Sequence, residues 1–165
     1  MFSLLILFFT IPTTPAFATP KSTIDQEQVI ALFKILDDAS REMDVQPTLD
    51  HLAKDVEITI AINNPGGKKS LHFNRKEYEE YLKQGLAIVT GYLIEHTDRR
   101  ITIAKDGQSA EVTEMVLEKS TVGGKRITCK ARQTVSLVLQ NGGLMIKHLD
   151  AEVFSIQKTE NSLRE

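Results

Sequence analysis

Three things that would point directly to a function are scarce in this sequence: tryptophan, an excess of one charge, and cysteine. Tryptophan is absent and aromatic residues make up 6% of the chain, which argues against a surface that stacks nucleic-acid bases. The formal net charge is -2 with no block of like charge, so the basic face of a nucleic-acid-binding protein is missing too. We therefore expect no nucleic-acid partner.

Cysteine occurs once, at Cys129, so no internal disulfide can form. A reactive thiol is one interpretation of this residue, and a small buried residue in a strand is the one we favour. The sequence also contains no zinc-ligand spacing, no nucleotide-binding loop and no Ser-His-Asp order. We expect neither a metal nor a cofactor.

The first residues form an apolar run that is too short for an ordinary membrane-spanning helix. Residues 2–11 are almost continuously apolar, and Ala16-Phe17-Ala18 follows two prolines. A short apolar core before a small-x-small triplet is typical of a signal peptide, here residues 1–18, although no Lys or Arg precedes it. We predict an exported protein, periplasmic or secreted, with no membrane attachment after cleavage. An uncleaved N-terminal anchor is the alternative.

The remaining composition is that of an ordinary globular protein. Hydrophobic residues make up 41% and charged residues 25%, which supplies enough apolar material for one core. A chain of 165 residues favours a single domain. We place that domain at residues 19–158 and expect a polar C-terminal tail at 159–165.

Helical periodicity of apolar residues predicts three helices. The first covers residues 24–43 and begins at a capping box formed by Thr23 and Gln26. A short second helix spans residues 47–54. The third begins at Asn74 and is stopped by Gly91.

Strand patterns account for most of the rest. Residues 56–62 alternate apolar with polar or small side chains, and everything from residue 92 onward has strand character. The pairs Asp106-Gly107, Gly123-Gly124 and Asn141-Gly142 each favour a two-residue hairpin turn. The C-terminal half is therefore predicted to be an antiparallel meander of four strands.

These three turns also predict which residues lie opposite one another. Counting outward from each turn aligns Arg99, Glu114, Gln133 and Asp150 in one row across the four strands. Three neighbouring rows share the same face of the sheet: Ile101, Val112, Val135 and His148; Ile103, Ala110, Leu137 and Ile146; and Thr97, Val116, Ala131 and Glu152.

The face that carries the apolar rows should be covered by the helices, so the polar row at its end predicts a pocket. Burying several ionisable groups costs several kcal/mol each unless they are paired or hydrated. The candidate ligand-binding residues are Arg99, Glu114, Gln133, Asp150, His148 and Glu152. Two alternatives are a polar end that lies in solvent and a satisfied structural ion network of Arg99, Glu114 and Asp150, in which Arg99 pairs with the opposite Glu114. A single β-bulge would change this register.

The order of elements resembles the nuclear transport factor 2-like superfamily. Residues 52–56 resemble the exit of its short helix, and residues 141–150 resemble its final strand, with Leu144 in place of the usual Trp and Asp150 in place of the second His. The resemblance implies an α+β fold, a mostly antiparallel curved sheet wrapped around N-terminal helices, shaped like a cone with a central pocket. It also implies a homodimer that uses the outer face of the sheet.

The superfamily includes polyketide-cyclase-like (SnoaL-like) and ketosteroid-isomerase-like proteins, so the resemblance implies no single function. The position of the steroid-isomerase base is held by Ile60. We therefore favour a non-catalytic exported module that binds a small organic ligand or assembles with itself or a partner protein. A structural dimer with a vestigial pocket is a further possibility.

The alternative is a small lyase, isomerase or hydrolase that uses Asp150 and His148 as its acid and base. The two residues lie two apart on one strand, where a metal site with Glu152 is less favoured than a ligand-orienting role. The other histidines, His51, His72 and His96, share no spacing, and we expect them at the surface or at an edge.

Overall fold

The computed structural model describes residues 23–64 and 67–160. The predicted signal peptide, the Pro65-Gly66 part of the first hairpin and the last five residues of the predicted tail lie outside this part of the chain. The described elements are α1 (Gln26–Glu42), α2 (Gln46–Asp50), β1 (Leu52–Asn64), β2 (Gly67–Phe73), α3 (Arg75–Ala87), β3 (Val89–Ile103), β4 (Ser109–Val122), β5 (Lys125–Gln140) and β6 (Gly143–Glu160).

The strands form one six-stranded sheet in the order β2-β1-β6-β5-β4-β3. Every neighbouring pair is antiparallel except β1 and β6, which run parallel. The sheet is curved and not closed, and the helices lie on its inner face. The predicted α+β class, with its mostly antiparallel sheet around N-terminal helices, is confirmed.

The ends of the helices follow local capping chemistry. The Asp25 side chain accepts a hydrogen bond from the Gln28 backbone at 2.8 Å, while the Gln28 side chain accepts one from the Asp25 backbone at 2.9 Å. The capping box predicted at Thr23 is therefore two residues too early. Its position is taken by a tertiary contact, because the backbone N–H of Ile24 donates to the carbonyl of Gly107 at 2.7 Å.

The third helix begins as predicted, with a reciprocal capping box between Asn74 and Glu77. Its end is not where the sequence placed it. The helix stops at Ala87, and β3 already begins at Val89, so Gly91 lies inside the strand. Strand β6 likewise continues to Glu160, two residues into the predicted tail. Among the described residues, no helix has the length and apolar character needed to cross a membrane.

The hydrophobic core lies between α1, α2 and the inner face of the sheet. The α1 stripe contributes Val29, Leu32 and Phe33, of which Val29 is fully buried. The sheet side is formed by fully or almost fully buried residues from four strands, β1, β4, β5 and β6: Leu52, Ile58, Val112, Val135, Leu137 and Ile146. The core therefore occupies one end of the inner face, next to the β3–β4 and β5–β6 turns.

The predicted register is confirmed between β4 and β5, where Glu114 lies opposite Gln133 and Val116 opposite Ala131. Between β3 and β4 it is confirmed only near the turn, where Ile101 lies opposite Val112. A bulge follows between Thr97 and Arg100, in which Asp98 has a φ of 54°. Past the bulge, His96 rather than Thr97 lies opposite Val116, so the prediction for Thr97 is wrong.

The predicted register is wrong for most of β6. Leu137 lies opposite Ile146 as expected, but Ser136 lies opposite His148, so Lys147 is an extra residue in a bulge. A one-residue shift moves every later side chain to the other face. Ala151, not Asp150, therefore lies opposite Gln133.

The same bulge decides the faces of the other β6 candidates. His148, Asp150 and Glu152 lie on the outer face, while Leu149, Ala151 and Val153 take the inner face. The predicted row of Arg99, Glu114, Gln133 and Asp150 therefore lacks Asp150 in the structure.

Candidate functional site

A cavity of about 480 Å³ lies between the inner face of the sheet and the helices α1 and α3. Most of its wall is apolar, with contributions from α1, α3 and all strands except β2. Representative apolar residues of the wall are Leu36, Ile60, Ile62, Leu82, Val116 and Val153. We call the end next to the core the deep end, and the other the open end, where Tyr81 is 43% exposed and Ile156 is 42% exposed.

Five polar side chains meet at the deep end, and we call them the charged cluster. Helix α1 supplies Asp37, strand β3 supplies His96 and Arg99, and β4 and β5 supply Glu114 and Gln133. The bulge in β3 is what brings both His96 and Arg99 to the inner face. The charged cluster therefore depends on an irregularity of the sheet.

Arg99 links the two carboxylates of the charged cluster. Its Nη1 and Nη2 donate to the two oxygens of Asp37 at 3.0 and 2.7 Å, and its Nε donates to Glu114 Oε2 at 2.6 Å. Its guanidinium carbon lies 4.6 Å from the ring centroid of Phe33. Burial opposes the charge of Arg99, but the hydrogen bonds to Asp37 and Glu114 outweigh it and raise the pKa of Arg99.

Glu114 is the one charged residue among the buried side chains of the described chain, with 3% of its surface exposed. Its carboxylate accepts hydrogen bonds from Arg99, from Gln133 Nε2 at 3.2 Å, and from His96 when Nδ1 carries a proton, at 3.0 Å. A buried carboxylate needs such partners, and the rest of the cluster supplies them to Glu114. The predicted pairing of Arg99 with Glu114 is confirmed.

His96 is held at one nitrogen and free at the other. Its side chain is 13% exposed, and its Nε2 is buried with no hydrogen-bond partner in the described structure. The nearest charged atom to Nε2 is Asp37 Oδ1, at 3.7 Å, which is too long for a hydrogen bond. When Nδ1–H donates to Glu114, the neutral ring presents the lone pair of Nε2 to the cavity.

The structure separates the sequence-predicted site residues into two groups. Arg99, Glu114 and Gln133 come together at the deep end. His148 lies on the outer face with its Nδ1 3.5 Å from Glu57 Oε2. Glu152 accepts a hydrogen bond from Asn63 at 2.9 Å on the same face, and Asp150 is exposed there. The β6 bulge explains why these three are absent from the cavity.

Two residues of the charged cluster were missed by sequence reasoning. His96 was expected at the surface or at an edge, which is wrong because the β3 bulge turns it inward. Asp37 lies four residues after Phe33 on α1, so the helical period did place it beside the apolar stripe. His51 and His72 lie elsewhere: the His51 ring contacts the Pro47 carbonyl at 2.7 Å, and the exposed His72 contacts Thr59 at 3.3 Å.

The open end has a polar group of its own. Glu118 lies on β4 between Ile94 of β3 and Cys129 of β5, and all three line the cavity. Burial raises the pKa of the Glu118 carboxyl. Burial and the nearby Glu118 raise the pKa of the Cys129 thiol to about 11, so the thiol is protonated at neutral pH.

Within residues 23–64 and 67–160, no group of three or more His, Cys, Asp or Glu side chains is arranged to hold a metal ion. In the charged cluster, the guanidinium of Arg99 takes the position between the two carboxylates that a cation would otherwise occupy.

Comparison with known proteins gives no sequence match but clear structural ones. No protein-family model matches the sequence, and no curated protein matches it. A candidate scytalone dehydratase from Novosphingobium aromaticivorans superposes with a TM-score of 0.64 at 13% identity, over 84% of this chain and 88% of that one.

Two further solved structures are similar. The hexachlorocyclohexane dehydrochlorinase LinA-type3 from Novosphingobium barchaimii has a TM-score of 0.65 at 11% identity, over 82% of this chain and 90% of that one. A nuclear transport factor 2-like protein from Cytophaga hutchinsonii has a TM-score of 0.61 at 17% identity, over 79% of this chain and 100% of that one. At such identities the likeness establishes the fold alone, and the chain has the nuclear transport factor 2-like fold that its sequence predicted.

Proposed function

We propose that the protein is an enzyme of the lyase type, in which His96 removes a proton from a small organic molecule held in the cavity. The observation that carries this proposal is the Nε2 atom of His96, which is buried at the cavity wall without a hydrogen-bond partner in the described chain. Leaving a buried polar atom unpaired costs about 1–3 kcal/mol, so its presence favours a role with a ligand.

The surroundings of His96 suit a general base. Donation from Nδ1 to Glu114 fixes the orientation of the ring and leaves Nε2 able to accept a proton. After proton transfer, the imidazolium lies 3.0 Å from Glu114 and 3.7 Å from Asp37, and both carboxylates stabilise its charge. The electron pair of the broken C–H bond forms a double bond to the neighbouring carbon, and the leaving group departs with its own bonding pair.

The cavity also suits a small substrate. Its volume of about 480 Å³ lies within the usual range of about 300–1,000 Å³ for ligand pockets. Its apolar walls exclude water from His96, which strengthens electrostatic interactions at the deep end.

The proteins that share the fold support the same reaction class. Among them are a candidate scytalone dehydratase and a hexachlorocyclohexane dehydrochlorinase. Loss of water and loss of hydrogen chloride are both eliminations in which a base takes a proton. These names belong to those proteins, and for this chain they serve as support for a proposal that rests on His96.

A second candidate function is binding without turnover. The observation that favours it is the pairing of Arg99, which already contacts both Asp37 and Glu114, so most of the charged cluster is satisfied without a ligand. In that case the cluster is a structural ion network, and the apolar walls alone select the ligand.

The test is a screen of small cyclic and aromatic compounds with a hydroxyl or halide next to an acidic C–H, followed by mass spectrometry. For a compound that is turned over, we expect His96→Gln to lower kcat by about 10²–10⁴-fold with little change in KM. The Gln amide can still donate to Glu114, so the fold should be kept.

The matched control is His72→Gln, which changes an exposed histidine on β2 and should keep full activity. Wild-type turnover in His96→Gln would contradict the proposal. Compounds that bind in the cavity and are never converted would favour the binding module instead.

Export remains part of the proposal, and the apolar run at residues 2–11 with Ala16-Phe17-Ala18 supports it. N-terminal sequencing of the protein from its source should find Thr19 as the first residue. An intact N-terminal Met1 would favour the uncleaved anchor.

A further inference from the structure

The charges of the cavity wall are all of one sign. Four carboxylates line it, Asp37, Asp44, Glu114 and Glu118, and the described lining contains no Lys or Arg. Arg99 lies behind the wall and is shared between Asp37 and Glu114. The cavity therefore repels anions and attracts cations, and the open end is where the charge lacks a balancing group.

Glu118 is the carboxylate at the open end. It lies on the inner face of β4, four residues beyond Glu114, which places the two backbones about 13 Å apart along the strand. Within the described chain no hydrogen bond or ion pair reaches its carboxyl. A half-buried carboxyl with no protein partner is costly unless it is protonated or a ligand completes it.

The tyrosines of the chain share the cavity with this carboxyl. The sequence has three, Tyr78 and Tyr81 on α3 and Tyr92 on β3, and all three line the cavity. The rings of Tyr78 and Tyr81 are stacked with centroids 6.1 Å apart. On β3, Tyr92 lies two residues from Ile94, which is opposite Glu118, so both side chains lie on the inner face of neighbouring strands. Burial raises the pKa of all three phenols, and the charge of Glu118 is a smaller cause of the same shift.

We propose that Glu118, Tyr78, Tyr81 and Tyr92 form a subsite for an organic ammonium group at the open end of the cavity. An ammonium donates charge-assisted hydrogen bonds to a carboxylate and is attracted to the faces of aromatic rings, so this group supplies both kinds of partner. The proposal deepens the proposed function by naming the substrate class. It rests on the same cavity but does not require His96 to act as a base.

The sheet also limits the size of the ligand. Glu118 lies opposite Ile94, two residues along β3 from His96, so the backbones of Glu118 and His96 are about 8 Å apart. A molecule that spans both therefore carries its amine a few bonds from the carbon that reacts. A neutral ligand is the alternative, since a protonated Glu118 can donate a hydrogen bond.

The test uses three probes of similar size and different charge: benzylamine, benzyl alcohol and benzoate. Titration calorimetry of the purified chain at pH 8 should show benzylamine binding at least tenfold more tightly than the other two. Glu118→Gln should remove most of that preference. The matched control is Glu111→Gln, which removes the same charge from the outer face of β4 and should leave benzylamine affinity unchanged.

Equal affinity for benzylamine and benzyl alcohol, or equal affinities of Glu118→Gln and Glu111→Gln, would overturn the proposal. His96→Gln separates it from the proposed function, because that variant should lose turnover and keep benzylamine binding. If Glu118→Gln does not fold, the wild-type thiol gives a second readout. Cys129 lies opposite Glu118, so benzylamine should slow its alkylation by iodoacetamide at least threefold and benzoate should not.

Discussion

The two ends of the cavity are built by the same strands but differ in how their carboxylates are satisfied. At the deep end, Glu114 accepts hydrogen bonds from Arg99 and Gln133 and lies within hydrogen-bond distance of the His96 ring. At the open end, Glu118 shares the cavity with three tyrosines whose pKa values are raised, and it has no hydrogen-bonding partner in the described chain. A carboxylate that accepts hydrogen bonds from the protein contributes to folding, whereas one without protein partners is available to a ligand.

The strongest test of this comparison is Arg99→Ala. It removes the one cation of the described chain that contacts both Asp37 and Glu114, and it leaves the buried Glu114 without that partner. Breaking a buried ion pair at one partner costs about 3–5 kcal/mol, and we expect that loss in the free energy of unfolding measured in urea. Arg100→Ala, at the exposed neighbouring position, should change it by less than about 0.5 kcal/mol. A loss below about 1 kcal/mol for Arg99→Ala would show that the deep end is not held by this cation.

A second test compares Glu114→Gln with wild type. The amide keeps the size of the side chain but loses two charge-assisted acceptors, so the free energy of unfolding should fall by about 1–3 kcal/mol. Glu111→Gln, on the outer face of the same strand, serves as the control and should lie within about 0.5 kcal/mol of wild type. If both variants unfold alike, the buried network contributes little to folding.

How much of this the sequence could predict depends on where the strands are regular. The turn at Gly123-Gly124 has positive φ at both glycines, 55° and 77°, as a two-residue hairpin requires, and the register of Glu114 and Gln133 followed from it. The turn at Asp106-Gly107 is longer than predicted, since Ala104 and Ser109 are the first residues that pair across it. The register of the two strands is nevertheless the predicted one next to the turn, with Ile103 opposite Ala110. Arg99 was thereby placed correctly beside Glu114.

The failures come from the two bulges. A bulge inserts one residue, and nothing in the residues 97–100 or 146–148 marks it: Asp98 adopts a left-handed conformation without being glycine, and Lys147 is an ordinary strand residue. Each inserted residue exchanged the two faces of the strand beyond it. His96 was therefore missed, and His148, Asp150 and Glu152 were expected in a cavity that they do not face.

At the open end, the comparison predicts that loss of a carboxylate has a small stabilising effect, opposite in sign to the effect at Glu114. A carboxyl whose pKa is raised in the folded state is protonated there at pH values where the unfolded chain has already ionised. The native state then binds more protons, so stability falls as the pH rises from the usual carboxyl range through the raised pKa. Tyr78, Tyr81, Tyr92 and Cys129, the titratable groups around Glu118, are neutral throughout that range.

Glu118→Gln should remove this loss. We expect it to match wild type at pH 4 and to be slightly more stable at pH 8, by denaturant unfolding at both values. Glu114→Gln should be less stable than wild type at pH 8, which makes the two glutamates a matched pair on one strand. Destabilisation by Glu118→Gln at pH 8 would instead indicate that groups of the protein itself stabilise the Glu118 carboxylate.

The smallest expected effect is on the reactivity of Cys129. Because burial and then Glu118 raise its pKa to about 11, the rate of alkylation by iodoacetamide should rise about tenfold per pH unit up to pH 10 without a plateau. In Glu118→Gln the same alkylation rate should be reached at a slightly lower pH. The charge of Glu118, one of the two causes of the raised Cys129 pKa, is then gone, while burial remains. The chain unfolded in urea is the control, and its rate should level off near the ordinary thiol pKa of about 8.5. A plateau below pH 9 in the folded wild type would mean that water hydrates the open end enough to ionise the thiol. In that case Glu118 would be hydrated too, and the carboxyl would have less to gain from a bound ammonium.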